Sequence, residues 1–231
     1  MSIRERLDIS AYLVIGQENC NCPVEEIVAA AVAEGFTCVQ IRSKISSARE
    51  IISILEKSAQ AINELGKSDS VALLVDDRLD VVLAAREAGI KVDGIHVGQS
   101  DIPVEVCRKF LGENSVVGLS ARTEELIDYV KNVDVSQIDY FGAGPLHETK
   151  TKLDAGKTSD GKFITHSFEE IAELVKVSPR PIVVGGGVKL KDIPALAATK
   201  VQGFFVVSAV AGAENPRLAA RELVGAWKKF S

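Results

Sequence analysis

Eight short apolar runs, rich in β-branched residues, recur along the chain at intervals of roughly 25–30 residues. They are Ala11–Ile15, Cys38–Ile41, Val71–Val75, Gly94–Val97, Ser115–Leu119, Asp139–Ala143, Pro181–Gly185 and Gly203–Val207. Most are apolar on consecutive positions rather than on alternate ones. That is the pattern of strands covered on both faces, as in a parallel sheet. Between them lie segments with helical spacing. Val24–Glu34 carries Ile27, Val28, Ala31 and Val32, and Ala48–Leu65 carries Ile51, Ile52, Leu55, Ala59 and Ile62. Leu79–Ala88, Val104–Leu111, Glu124–Asn132, Phe168–Val175, Asp192–Thr199 and Arg217–Lys229 read similarly. Ser47, Thr123 and Ser167 stand where an N-cap belongs, and Gly35, Gly66 and Gly89 where a helix end needs a left-handed residue.

Strict strand–helix alternation predicts a parallel sheet with right-handed crossovers. Eight units in 231 residues fit an α/β fold of one domain, a (β/α)8 TIM barrel over residues 1–231, with a doubly wound open sheet as the runner-up. The longest irregular stretch, Pro145–Thr165, follows the sixth strand, and a connection of that length is usually functional or mobile. The composition (46% hydrophobic, 26% charged) is that of a globular chain, and no apolar run approaches the roughly 20 residues of a bilayer span. Met1–Ser10 has charges but no apolar core, which predicts no secretory signal. A net charge of −5 argues against nucleic acid as a partner but leaves room for a local basic pocket. Cys20, Cys22, Cys38 and Cys107 lack histidines at zinc-finger spacing, so reduced thiols in a cytoplasmic protein are expected.

In a barrel of this kind the site lies at the C-terminal ends of the strands, which narrows the search. After the second strand come Gln40, Arg42 and Lys44; two cations spaced i and i+2 can point the same way and suit a di- or triphosphate. The third strand ends in Asp76-Asp77-Arg78, whose carboxylates are hard oxygen ligands for Mg²⁺ or helix caps. The fourth carries His96, expected to be a hydrogen-bonded barrel residue, and leads to Asp101, either a second metal ligand or an N-cap ahead of Pro103. Ser120 after the fifth strand can hydrogen-bond a phosphate, and no Asp–His pair nearby supports a nucleophilic role. Gly142-Ala143-Gly144-Pro145, continuing to Thr149, Thr151 and Lys152, reads as an anion clamp flanked by His147 and His166. Gly185-Gly186-Gly187 after the seventh strand and Val207-Ser208 after the eighth match the backbone-amide monophosphate site common in barrels, unless the glycines only permit close packing. The pattern therefore predicts two anion sites in one mouth.

Taken in order, these motifs resemble the thiamine phosphate synthase family over nearly the whole length, from Tyr12 to the last helix. The resemblance implies condensation of 4-amino-2-methyl-5-hydroxymethylpyrimidine diphosphate with 4-methyl-5-(2-hydroxyethyl)thiazole phosphate, both small-molecule substrates. The products would be thiamine phosphate and pyrophosphate, formed through a Mg²⁺-assisted dissociative, carbocation mechanism. It implies Mg²⁺ on Asp77 and Asp101. Gln40, Arg42, Lys44, Asp76, Ser120 and Lys152 would hold the pyrimidine diphosphate, with Arg42, Ser120 and Lys152 acting in catalysis. Thr149, Thr151, Gly187, Val207 and Ser208 would hold the thiazole phosphate, in a monomer or homodimer. Three positions depart from the family: Asp76 stands where Asn is usual, Ser43 where Glu is usual, and Glu148 where a Pro is frequent before Thr149. An extra carboxylate beside a diphosphate is unfavourable unless it helps hold the metal or pairs with Arg78. The rival readings are a thiazole tautomerase-like barrel, which would lack the diphosphate set, and a non-catalytic barrel that binds thiamine precursors.

Overall fold

A computed structural model describes residues 2–122, 124–148 and 163–231. Eight parallel strands close into a barrel in sequential order: β1 (Ala11–Ile15), β2 (Cys38–Ile41), β3 (Ala72–Asp76), β4 (Gly94–Val97), β5 (Val116–Ser120), β6 (Tyr140–Ala143), β7 (Ile182–Val184) and β8 (Gly203–Val206). Closure is made by β8 on β1, with Phe205 in register with Tyr12. The open-sheet alternative is thereby excluded, and each expected strand is present within one residue at either end.

The strands are apolar on consecutive positions because they serve two separate cores. Ala11, Leu13 and Ile15 of β1 pack outward into the layer shared with the helices. Tyr12 and Val14 point inward to a smaller core with Cys38, Leu74, Val116, Tyr140 and Val183. The same two-residue alternation runs through the other strands.

The outer ring comprises α1 (Val24–Ala33), α2 (Ala48–Glu64), α3 (Leu79–Glu87), α4 (Val104–Leu111), α5 (Leu126–Asn132), α6 (Phe168–Val177), α7 (Ile193–Ala198), α8 (Ser208–Ala211) and α9 (Pro216–Phe230). Ser47 and Ser167 cap α2 and α6 as expected. Each accepts from the backbone N–H of Glu50 or Glu170 and donates its own N–H to that glutamate, a reciprocal capping box. Gly35, Gly66 and Gly89 adopt φ of +108°, +66° and +78° after α1, α2 and α3. Thr123 lies outside the described residues, and α5 begins later than the spacing predicts, after Glu125 at φ +54°. The expected helix Asp192–Thr199 is split into a 3₁₀ turn, Leu190–Asp192, and α7, with Pro194 in its first turn. No helix among the described residues is long and apolar enough to cross a membrane.

Candidate active site

The C-terminal strand ends enclose a cavity of about 450 Å³. Its floor is the inward face of the barrel and its wall is the first residues of each strand–helix loop. Gln40, Arg42, Lys44, Asp76, Asp77, Asp101, Ser120, Gly187 and Val207 all line it. Ser208 opens α8, is exposed, and is not among the lining residues. Thr149, Thr151 and Lys152 lie outside the described residues, as does most of the Pro145–Thr165 stretch.

Charge is concentrated on one side of the mouth. Arg42 is buried, and its Nε lies 3.1 Å from Asp76 Oδ2 without forming a hydrogen bond. Lys44, half exposed, reaches 3.8 Å from the same oxygen and is in direct contact with Asp77. Arg78 does not pair with Asp76; it makes a two-pronged bond to Asp80, at 2.8 and 2.6 Å, on the outer surface. The extra carboxylate at position 76 is thus accommodated by Arg42 and Lys44, from the neighbouring strand end. Ser43, between these cations, bonds Ser46 Oγ and the backbone N–H groups of Ile45 and Ser46, so it shapes the loop and leaves the cavity to its neighbours.

Asp77 adopts φ +61°, a left-handed conformation that non-glycine residues rarely take and that is most frequent at functional sites. Its N–H donates to His96 O at 2.8 Å, which holds this bend against β4. The Asp77 and Asp101 carboxyls are within hydrogen-bond reach of each other. Burial pushes Asp77 up, but the Lys44 ammonium outweighs it and holds the carboxyl below the usual range. Asp101 is raised, first by burial and then by Asp77 beside it. Asp101 does not cap α4. It accepts the Gly98 N–H at 2.9 Å, while Pro103 occupies the cap position without a side-chain bond.

Opposite this charged side, Pro145–His147 runs beside the glycine loop. Leu146 and His147 donate to Gly185 O and Gly186 O at 2.9 Å. A Cβ at Gly186 would lie 2.5 Å from Pro145 Cβ, one at Gly187 would lie 2.9 Å from His147 Cβ, and both residues have positive φ. A Cβ at Gly185 would fall 2.3 Å from the Phe205 ring, so close packing accounts for all three glycines, which also line the cavity. His147 bonds Asp192 at 3.0 Å. His166 is buried, and burial lowers its pKa.

Between the two sides the floor is polar. Gln40 Nε2 donates to Tyr12 OH at 2.9 Å, and Tyr12 OH contacts Tyr140 OH at 2.8 Å. Tyr140 OH contacts His96 Nδ1 at 2.9 Å, and His96 Nε2 contacts Ser120 Oγ at 2.9 Å. His96 is thus the hydrogen-bonded barrel residue that was expected. Tyr12 and Tyr140 were not marked as site residues. The signal that would have found them is strand parity, since Tyr12, Gln40, His96, Ser120 and Tyr140 all occupy inward-facing positions.

A family model described as thiamine monophosphate synthase matches residues 11–210. A thiamine-phosphate synthase of Corynebacterium efficiens is 38% identical over 222 residues, 96% of this chain and 96% of that protein. One from Vibrio parahaemolyticus is 36% identical and covers 92% of this chain and 95% of its own. Among solved structures, the thiamine phosphate pyrophosphorylase of Pyrococcus furiosus superposes with a TM-score of 0.78 at 27% identity, covering 99% of this chain and 98% of that one. A 3-hexulose-6-phosphate synthase, at 18% identity and a TM-score of 0.63, shares the fold alone.

Proposed function

The chain belongs to the thiamine monophosphate synthase family, and from that premise we propose how its mouth divides the labour of the reaction. It is a transferase that acts on small molecules to make thiamine phosphate. The observation that carries the detailed reading is the clustering of two cations and three carboxylates at the ends of β2, β3 and β4. Gln40, Arg42, Lys44, Asp76 and Ser120 hold 4-amino-2-methyl-5-hydroxymethylpyrimidine diphosphate, joined by Lys152. Gly187, Val207 and Ser208, with Thr149 and Thr151, hold 4-methyl-5-(2-hydroxyethyl)thiazole phosphate.

Asp77 and Asp101 fit a divalent cation. Two carboxyls in contact, one raised at the other's expense, are what a hard cation would separate and satisfy. Among the described residues no three His, Cys, Asp or Glu side chains form a cage, which suits Mg²⁺ more than a metal with a full protein ligand set, because Mg²⁺ is commonly held by one or two carboxylates plus substrate phosphates. Bound there, Mg²⁺ would supply charge neutralisation to the departing diphosphate. Lys44, now spent on Asp77, becomes available to the same diphosphate once that carboxylate has another cation. Arg42, buried and with Nε free of any hydrogen bond, is already poised to donate. With the leaving group's charge matched, C–O cleavage leaves an amino-stabilised pyrimidine carbocation that the thiazole nitrogen captures. No side-chain nucleophile is required, so the chain contributes positioning and electrostatics.

The test is pyrophosphate release with Mg²⁺ and both substrates, against reactions lacking each in turn. Release that requires all three, with thiamine phosphate formed, is the expected result. Calorimetric binding of the thiazole phosphate without any release would overturn the diphosphate assignment and move the chain to a tautomerase-like or sensing role in a barrel of the same shape.

A further inference from the structure

We propose that Tyr12, Tyr140 and His96 form a one-way hydrogen-bond relay that makes Gln40 an acceptor and Ser120 a donor toward an aminopyrimidine ring. This rests on the assignment of the pyrimidine to the Gln40–Ser120 side of the mouth. The direction follows from counting hydrogens along the chain. The Gln40 amide nitrogen can only donate, so Tyr12 OH accepts from it. A buried hydroxyl that donates to nothing costs about 1–3 kcal/mol, so Tyr12 passes its own hydrogen to Tyr140. Tyr140 in turn gives its hydrogen to His96 Nδ1. The neutral imidazole therefore carries its proton on Nε2 and donates to Ser120 Oγ. What remains is the Gln40 carbonyl oxygen with the second hydrogen of its amide at one end and the Ser120 hydroxyl hydrogen at the other, both on cavity-lining residues; with Nε2 turned to Tyr12, the carbonyl oxygen is the only acceptor the Gln40 end offers.

The barrel is shaped around this relay. A Cβ at Gly118 would fall 2.4 Å from Tyr140 OH and 2.5 Å from His96 Nδ1, and one at Gly142 would fall 3.0 Å from the His96 ring. Both glycines sit inside strands, where glycine weakens the sheet and commonly marks a close approach. The tyrosine and histidine rings lie 5.4 Å apart at 32°, which fixes the imidazole's orientation. Burial pushes both phenols well above their ordinary pKa, so both keep the hydrogen that the relay needs. An aminopyrimidine offers an exocyclic amino donor and ring-nitrogen acceptors. The 4-oxo analogue replaces the amino donor with an acceptor and would face the Gln40 oxygen lone pair to lone pair. Tyr12, Tyr140 and His96 are thus positioning residues whose effect is selection between these rings.

Two measurements test this. The first is the ¹⁵N spectrum of the imidazoles in the full chain, which has three histidines, with His96→Gln identifying the signal. An Nε2–H tautomer is expected at His96, and an Nδ1–H tautomer would overturn the relay's direction. The second is calorimetric binding of the amino and 4-oxo pyrimidine diphosphates, with Mg²⁺ and without thiazole phosphate. Tyr140→Phe and Tyr12→Phe should each reduce the preference for the amino ring about tenfold, the worth of one net hydrogen bond. Affinity for the thiazole phosphate should stay unchanged. A folded variant that keeps the wild-type preference would overturn the selective role. Wild-type chain that binds neither pyrimidine, yet shows the Nε2–H tautomer, would overturn the substrate assignment while leaving the relay's polarity intact.

Discussion

The two ends of the barrel use charge in opposite ways. At the base, just before β6, Asp139 accepts from Arg4 Nε at 2.7 Å, from Arg108 Nη2 at 2.9 Å and from the Val117 N–H at 2.8 Å. Arg108 also donates to the Gln137 carbonyl at 3.1 Å. One carboxylate there answers two cations in hydrogen-bonding geometry, and Arg108 spends both Nη groups within the chain, only its Nε being left without a partner. On the β2–β4 side of the mouth three carboxylates compete for Arg42 and Lys44. Arg42 touches Asp76 without a hydrogen bond, Asp77 is held in a left-handed bend, and Asp101 is raised by its neighbour. An arrangement that leaves donors unspent and carboxyls crowded is poor at stabilising a fold and well suited to receiving a polyanion and its counterion. The base carries stability and the mouth carries chemistry, as barrel architecture generally divides them.

The comparison breaks most sharply at Asp139. Asp139→Ala leaves the buried Arg108 without its counter-charge and orphans the Val117 N–H. The expected loss is about 3–5 kcal/mol of stability, read from denaturant unfolding. Pyrophosphate release per folded molecule should remain near the wild-type value. A folded variant with turnover depressed a hundredfold would mean that the base is coupled to the mouth.

Asp77→Asn probes the other end. Asparagine tolerates the left-handed bend and keeps the side-chain shape, so the backbone has no reason to move. Turnover should fall about 10²–10³-fold, the typical cost of removing one electrostatic contact to a developing charge. The midpoint of thermal unfolding should stay within about 2 °C, as for substitutions away from the core. A large drop in stability with little change in turnover would reverse the assignment of the two ends.

The strands, the helix ends and the place of the mouth are legible in the sequence, whereas the ion pairs of the base are not, because they join residues more than 30 positions apart. Consecutive apolar positions located all eight strands because a sheet packed on both faces leaves no polar alternation to misread. Capping serines and left-handed glycines set helix ends for local reasons that tertiary packing did not override. The candidate site residues at the strand ends gather around one cavity because topology dictates where strand ends lie. The partner of Asp76 was missed: adjacency suggested Arg78, but the strand ends at Asp76 and the left-handed bend at Asp77 turns the chain away, so Arg78 meets Asp80 and the cation nearest Asp76 is Arg42, just after β2. The polar floor was missed for a related reason. Tyr12 and Tyr140 sit in runs that read as plain hydrophobic core, and only the inward parity of five separate strands shows that their hydroxyls meet. Asp101 was ambiguous for a subtler reason: cap and ligand demand the same residue type at the same offset, and only the bond to Gly98 N–H shows that it is not the cap.

The smallest expected effect lies on neither end but on the seam where the helical ring closes. Glu34, at the end of α1, accepts from Arg217 Nε at 2.6 Å and from Arg221 Nε at 2.9 Å on α9, tying the first large helix to the last. The two guanidiniums hold its carboxyl at about 2, below its ordinary value of 4.5. A depressed carboxylate contributes stability that is full above the unfolded pKa and is lost as pH falls through the folded one. Glu34→Gln should therefore lower the unfolding midpoint at neutral pH, and the gap to wild type should close between about pH 4.5 and 2. Both arginines are exposed, so solvent and salt screen the pair and the gap should stay within about 2 °C, shrinking further in 1 M salt. Activity should not change at any pH where the fold persists, because the seam touches neither the polar floor nor the charged mouth. A gap that persisted at pH 2 would show that Glu34 acts through packing and not through its charge, and a change in turnover would extend the functional region beyond the strand ends.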